Sequence, residues 1–278
     1  MNEETQLRKI VSKIVRLPAL PDNVLALQRL IRSPETTAET VGRAIARDQA
    51  LSAQVLKLVN SGFYGFSTPV ASISHAVVLL GFGALQTLLV STAAVQLIGA
   101  AFPGLYPHSL ACARIAYVLA RRLGLDEPDE LSTAGLLHDI GKMVLASHVP
   151  EEYEAVKRAV REKNMLFLEA ETETMGVTHA DIGAWLLAQW RLPAQTVEPI
   201  RHHHAFEPDM PFAERAATLH LADILARAEG VGDPGDSRMP RLDVRALATL
   251  GIGLPDIRPL MDEAFDQLTD LFSGEDAA

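Results

Sequence analysis

The stretch His138-Asp139-Ile140-Gly141-Lys142 sets an imidazole and a carboxylate side by side, directly after the apolar run Ala134-Gly135-Leu136-Leu137. Burying such a pair is costly unless it meets opposite charges or binds metal ions. The stretch therefore predicts a metal site with nitrogen and oxygen ligands, a set that suits Fe, Mn or Zn. Further ligands could come from His108, His179, His202, His203, His204 and Asp223.

The chain around this stretch has the periodicity of helices. Apolar residues recur three and four positions apart, as within residues 41–59, whereas strand-like alternation is almost absent. Helix boundaries are indicated by Gly124 after an arginine pair and by Thr178 at the start of a later segment. The sequence predicts an all-α fold, in which a helix starts at Pro128 and runs through the His-Asp pair.

The acidic composition limits the partners of the chain. Its 278 residues carry a net charge of −10, which argues against binding to nucleic acid, since phosphates require basic patches. A single cysteine, Cys112, excludes a disulfide within the chain and fits a reducing compartment. The first ten residues, MNEETQLRKI, lack the apolar core of a signal peptide. We therefore expect a cytoplasmic protein.

One long uncharged segment raises the question of a membrane anchor. No Asp, Glu, Lys or Arg occurs between Lys57 and Arg114, and residues 77–102 are mostly apolar. Polar side chains interrupt this run, among them Gln86 and Gln96, and neither flank is basic. The segment predicts a buried pair of helices, with a bend or close packing at Gly81, and no membrane anchor.

Several segments together resemble the HD superfamily and its HDOD branch. The stretch 138–142 is similar to the HD signature, and HDOD marks occur as LPALP at 17–21, DQAL at 48–51 and KLVNS at 57–61. The resemblance covers about residues 10–225. It implies a single multi-helix HDOD-type unit over residues 1–278, with a role in bacterial signalling.

The helix boundaries along the chain also predict how this unit is divided. An N-terminal helical subdomain at 5–103 would pack on an HD-like metal-site subdomain at 104–230, followed by a loop and C-terminal helices at 231–278. Within the first part, the aromatic segment NSGFYGF at 60–66 either docks on the core or forms a contact surface for a partner or ligand.

The related HD-GYP phosphodiesterases imply a ligand set for two divalent ions. One ion would be held by His108, His138, Asp139 and Asp223, and a second by Asp139 together with His179, His203 and His204. Asp139 and Lys142 are the implied catalytic residues, since Lys142 could meet a substrate phosphate. His202 and His220 fall outside this pattern. No Gly-Tyr-Pro follows the histidines, and Gly104 stands where some HD-GYP sites have a glutamate, so the resemblance does not extend to hydrolysis of cyclic-di-GMP.

Two functions follow from the residues and the resemblance. The first is a regulatory module that binds a signalling protein or a small nucleotide and keeps a structural or sensory metal site. The second is a metal-dependent phosphohydrolase acting on a phosphodiester or phosphomonoester. A closed metal site would favour the first function, and an open pocket over the ions would favour the second. The sequence leaves the oligomeric state open.

Overall fold

The computed structural model describes residues 20–60, 68–98 and 104–273. Within these ranges all regular structure is helical and no strand occurs, which confirms the predicted all-α class. The aromatic segment at 60–66 lies almost entirely outside the described residues. The helices are α1 (Asp22–Ile31), α2 (Ala38–Ile45), α3 (Gln49–Val59), α4 (Ile73–Ile98), α5 (Leu105–Leu123), α6 (Pro128–Leu137), α7 (Ile140–His148), α8 (Pro150–Lys163), α9 (Phe167–Met175), α10 (His179–Gln189), α11 (Ala194–His202), α12 (Ala213–Ala228), α13 (Val244–Thr249) and α14 (Leu254–Ser273).

The described residues form two compact units. One comprises residues 98–261, and the other comprises residues 20–97 with the C-terminal segment from residue 262. The smaller unit has its own apolar core, which includes Val41, Ile45 and Val55. The predicted division at residues 103 and 230 stays a prediction.

The uncharged segment folds as α4, which contains a kink. Gly81 has φ 76° and ψ 172° inside this helix, a left-handed conformation that glycine adopts without a steric penalty. The predicted bend at this glycine is confirmed. Among the described residues, no helix combines the length and the apolar character needed to cross a membrane.

The larger unit brings distant helices together around one centre. Helix α5 packs against α6 and α12, while α11 contacts α6, α10 and α12. Helix α10 begins where the sequence predicts, because Thr178 caps it and exchanges hydrogen bonds with Asp181. It also packs against α7.

The prediction of one helix running through the His-Asp pair is wrong. Helix α6 ends at Leu137 and α7 begins at Ile140, so His138 and Asp139 form the junction between them. Asp139 has φ −99° and ψ 11°, which interrupts the helical path. The next glycine is required by packing: a Cβ on Gly141 would overlap the backbone carbonyl of His179, where α7 meets α10.

Candidate metal centre

The structure brings all seven predicted metal ligands into one buried cluster. Their donor atoms fall into two groups, and within each group these atoms lie within 4.8 Å of one another. We call the seven residues the histidine–aspartate cluster. The first group is Asp139, His179, His203 and His204, and the second is His108, His138 and Asp223. Their function as metal ligands stays a prediction.

Asp139 connects the two groups through its two carboxylate oxygens. Oδ1 lies 3.0 Å from Nε2 of His179. Oδ2 faces the other group, at 3.3 Å from Nε2 of His138 and 3.8 Å from Nε2 of His108. The remaining carboxylate, Asp223, has Oδ1 at 3.0 Å from the same His108 nitrogen. Each group of imidazoles therefore meets at least one carboxylate oxygen.

The orientation of two imidazoles is fixed by backbone carbonyls. Nδ1 of His138 donates to the carbonyl of Gly135 at 2.7 Å, and Nδ1 of His203 donates to that of Ile200 at 2.6 Å. Both Nε2 atoms then face the cluster, where they are buried without a hydrogen-bond partner. Histidine ligands of metal ions are typically held in this way, with the second ring nitrogen bonded to a carbonyl or carboxylate. These buried nitrogens fit a divalent ion.

His179 is held by a carboxylate that sequence analysis missed. Oε2 of Glu171 accepts one hydrogen bond from the backbone N–H of His179 at 3.0 Å and a second from Nδ1 of His179 at 2.6 Å. Glu171 is completely buried. The other ring nitrogen of His179, Nε2, faces the cluster, at 3.0 Å from Oδ1 of Asp139 and 3.1 Å from Nε2 of His204. The carboxylate therefore sets which nitrogen of His179 faces the cluster.

Burial and neighbouring charges shift the pKa values of the cluster. Burial lowers the pKa of His203 and of His204 well below the usual value, so both are neutral near pH 7, the form that binds metal ions. Burial opposes ionisation of Asp139, but His138 and Lys142 hold the pKa of that carboxyl well below its usual range. The carboxylate is therefore charged at neutral pH.

Two buried cations already neutralise the carboxylates of the cluster. The ammonium of Lys142 donates to Oδ2 of Asp139 at 2.7 Å, and this lysine side chain is fully buried. The guanidinium of Arg227 donates through Nε to Oδ1 of Asp223 at 3.1 Å. Burying these carboxylates is less costly with such partners. The predicted contact of Lys142 with a substrate phosphate stays a prediction.

The two other histidines lie outside both groups of donors. His202 is half-buried, with Nε2 at 3.6 Å from Glu198. His220 is buried and links two segments: its Nδ1 donates to the carbonyl of His203 at 2.8 Å, and its Nε2 accepts from the N–H of Asp243 at 3.0 Å. It therefore supports the backbone of a cluster residue.

Sequence analysis also missed other residues around the cluster, and only one of them could have been predicted from the sequence. Arg227 follows Asp223 by four positions on one helix, so the ion pair could have been predicted from spacing. Glu171, on α9, contacts His179 on the next helix, and Asp236 contacts Arg227 from the segment after α12. Nothing in the neighbouring sequence marks either carboxylate.

The fold and the cluster define an all-helical protein with an HD-type centre of histidines and aspartates. The sequence profile of the HDOD domain family matches residues 17–206, and the chain belongs to this family. The match includes every cluster residue except Asp223, which lies on α12.

Solved structures of similar proteins have the same fold. An HDOD domain protein of unknown function from Geobacter sulfurreducens is 29% identical, with a TM-score of 0.76 over 96% of this chain and 95% of that one. A provisionally assigned phosphohydrolase from Shewanella amazonensis SB2B is 27% identical, with a TM-score of 0.73 over 94% of this chain and 96% of that one.

A curated relative is considerably longer. An uncharacterized protein from Treponema pallidum (strain Nichols) is 32% identical over 213 residues, which are 72% of this chain and 41% of that protein. The chain thus spans less than half the length of this relative.

Proposed function

We propose that the chain is a metal-binding regulatory module of the HDOD family. In this proposal, divalent Fe, Mn or Zn ions bound by the histidine–aspartate cluster stabilise one conformation of the larger unit. A signalling protein or a small nucleotide then recognises that conformation.

The observation that carries this proposal is the burial of the cluster. Six of its seven members have relative exposures of 2% or less: His108, His138, Asp139, His179, His203 and Asp223. The seventh member, His204, is partly exposed. A hydrolase has to bring a substrate phosphate against its ions, whereas a structural or sensory ion is best enclosed. The burial therefore favours the regulatory function.

The ions would act mainly through cross-linking. The group Asp139, His179, His203 and His204 would hold one ion, and His108, His138 and Asp223 with Asp139 would hold the other. These residues come from five different parts of the larger unit. The free energy of metal binding would therefore stabilise the folded conformation of this unit. Carbonyls behind His138 and His203 and the carboxylate behind His179 already fix the imidazoles, which lowers the cost of ordering them.

A second candidate function is hydrolysis of a phosphate ester. Asp139 favours it, since each of its oxygens faces a different group of imidazoles, as in a carboxylate shared by two ions. The similarity to the provisionally assigned Shewanella phosphohydrolase supports it as well. Bound ions would supply Lewis acidity for this chemistry. Asp139 would orient them, and Lys142 would offset charge on the phosphoryl oxygens.

Metal analysis of the purified protein tests the proposal. We expect about two equivalents of Fe, Mn or Zn in the wild type, as the donor set favours, and loss of these ions in the His138→Ala/Asp139→Ala variant. His202→Ala is the matched control, because this histidine lies outside both groups, and it should retain the ions.

Activity measurements separate the two functions. The metal-loaded wild type is assayed with bis-p-nitrophenyl phosphate and p-nitrophenyl phosphate. Under the regulatory function, neither ester is hydrolysed above the rate of the double variant. Turnover that disappears with the ions would establish the hydrolase instead. A wild type that neither contains nor takes up any of the three metals would contradict both functions.

A further inference from the structure

The loop of residues 231–238 lies against the histidine–aspartate cluster and has no regular secondary structure. The N–H of Asp233 donates to the carbonyl of Gly104 at 2.8 Å, just before α5. Gly232 has φ 72°, and a Cβ there would overlap the amide nitrogen of His108. Although the loop is rich in glycine, these close contacts fix its position.

Lys142 joins this loop to the first carboxylate of the cluster. Its ammonium bonds Oδ2 of Asp139 at 2.7 Å and also donates to the carbonyl of Pro234 at 2.9 Å. The same nitrogen lies 5.4 Å from the centre of the Phe167 ring. Since the side chain is fully buried, these groups replace water around the charge.

Arg227 joins the loop to the second carboxylate in the same manner. It bonds Oδ1 of Asp223 at 3.1 Å through Nε, and its Nη1 lies 3.3 Å from Oδ1 of Asp236 in the loop. Oδ2 of Asp236 accepts from the backbone N–H of Phe167 at 2.9 Å. Both counter-cations of the cluster are therefore also anchors of the loop.

These contacts place the counter-cations in competition with a metal ion. A divalent ion held by Asp139 and Asp223 would draw on the same two carboxylates that Lys142 and Arg227 neutralise. It would also repel both positive charges at short range, where little solvent screens them. A cation that leaves its carboxylate must change its contact with the loop, because one side chain makes both bonds.

We propose that the 231–238 loop reports metal occupancy of the cluster, through displacement of Lys142 and Arg227. The inference rests on the proposed metal-binding function and names its regulation. Without an ion, the two cations neutralise the carboxylates and hold the loop. When an ion binds, they withdraw and the loop is released.

The released loop would change a surface cavity. Loop residues form one wall of a cavity of about 550 Å³, and the other wall includes Val160, Arg161, Asn164 and Met165 at the end of α8. The guanidinium of Arg238, within the loop, donates to the carbonyl of Asn164 at 3.1 Å across this wall. Movement of the loop on metal binding would thus change the shape of this surface cavity.

Hydrogen exchange of the wild-type protein tests the release directly. The amides of Asp233 and Phe167 are the reporters, because each takes part in a hydrogen bond between the loop and the rest of the unit. Exchange is followed with chelator and then with Mn²⁺ or Zn²⁺ alone, while metal uptake is measured on the same samples. We expect exchange at both amides to rise about threefold to tenfold with metal, the factor that corresponds to one hydrogen bond.

Lys142→Met tests the competition, since methionine has a similar length and no charge. Removing a positive charge this close to the site should tighten metal binding about tenfold or more, by analogy with the effect of such charges on pKa values. Lys157→Met is the matched control: this lysine is half-buried, pairs with Glu154 on α8 and makes no contact with the cluster. It should leave the dissociation constant unchanged. Circular dichroism verifies that both variants are folded.

The outcomes distinguish this inference from the function on which it rests. Metal uptake with unchanged exchange at Asp233 and Phe167 overturns the inference and leaves metal binding intact. Weaker metal binding by Lys142→Met also overturns it, because the lysine would then support the site. If neither the wild type nor Lys142→Met takes up metal, the proposed function itself has failed.

Discussion

Replacement of Glu171 tests whether the carboxylate behind His179 is essential to the cluster. Both hydrogen bonds from His179 end on Oε2 of this buried residue. Glu171→Ala leaves two buried donors without partners, each costing about 1–3 kcal/mol, and so lowers the free energy of unfolding by about 2–6 kcal/mol. For a unit of this size, the melting temperature should fall by about 4–24 °C.

Glu171→Gln separates geometry from charge. Because both bonds end on one oxygen, glutamine can keep them, and most of the stability should be retained. The negative charge is lost, however, and removing such a partner behind a ligating histidine typically weakens metal binding by about 10–100-fold. Burial lowers the pKa of His179, whereas Glu171 raises it to a net value above normal, so the glutamine variant also removes this stabilisation of the imidazolium.

The assay is thermal unfolding with chelator, followed by titration with the metal that the wild type binds. Glu173→Ala is the matched control on the same helix, because Glu173 is half exposed and pairs with Lys163 at the surface. A melting temperature of Glu171→Ala within about 2 °C of the wild type would refute the argument, since two unpaired buried donors cannot cost so little.

Two further predictions concern packing and pH. Gly232→Ala should lower the free energy of unfolding by about 2–5 kcal/mol, since the added Cβ overlaps the backbone of His108. Gly230→Ala is the control: this glycine has φ 69° and open space around it, so its replacement should cost about 1–2 kcal/mol. Equal losses in denaturant titrations of the two variants would contradict this. Burial raises the pKa of Asp223, but Arg227 holds it well below the usual range. The stability from this carboxylate is therefore present above the unfolded pKa of about 3.9 and lost as pH falls through the folded pKa. In chelator, Asp223→Asn should cost about 1–3 kcal/mol at pH 7 and flatten the acid limb of the stability curve; an unchanged acid limb would argue against it.

Local sequence was sufficient for the fold class, and the family resemblance supplied the candidate ligands. Helical periodicity and caps such as Thr178 act over a few residues, so the all-α prediction required no knowledge of tertiary structure. The candidate ligands come from the resemblance to HD proteins, which assigns them one by one. The helix break at His138 was missed, since the surrounding residues favour a helix and only the geometry of the centre requires the junction.

The contacts of the 231–238 loop with Lys142 and Phe167 could not be predicted, because they join segments that are far apart in sequence. The 231–238 loop is rich in glycine and aspartate and has the composition of a flexible connection. Its order depends on Lys142, which lies 92 residues before Pro234, and on Phe167, which lies 69 residues before Asp236. A lone carboxylate such as Glu171 is equally inconspicuous until its partner is known.

The location of Asp223 on α12 has a practical consequence for dissecting this protein. A fragment cut at residue 206, the end of the family match, would retain six cluster residues and lose the seventh together with Arg227 and the loop. It would also lose the helix that packs on α5, α6 and α11, leaving buried apolar side chains of those helices in water. Failure of such a fragment to bind metal or to fold would therefore be a property of the cut, and the smallest meaningful unit for biophysical work extends beyond the loop.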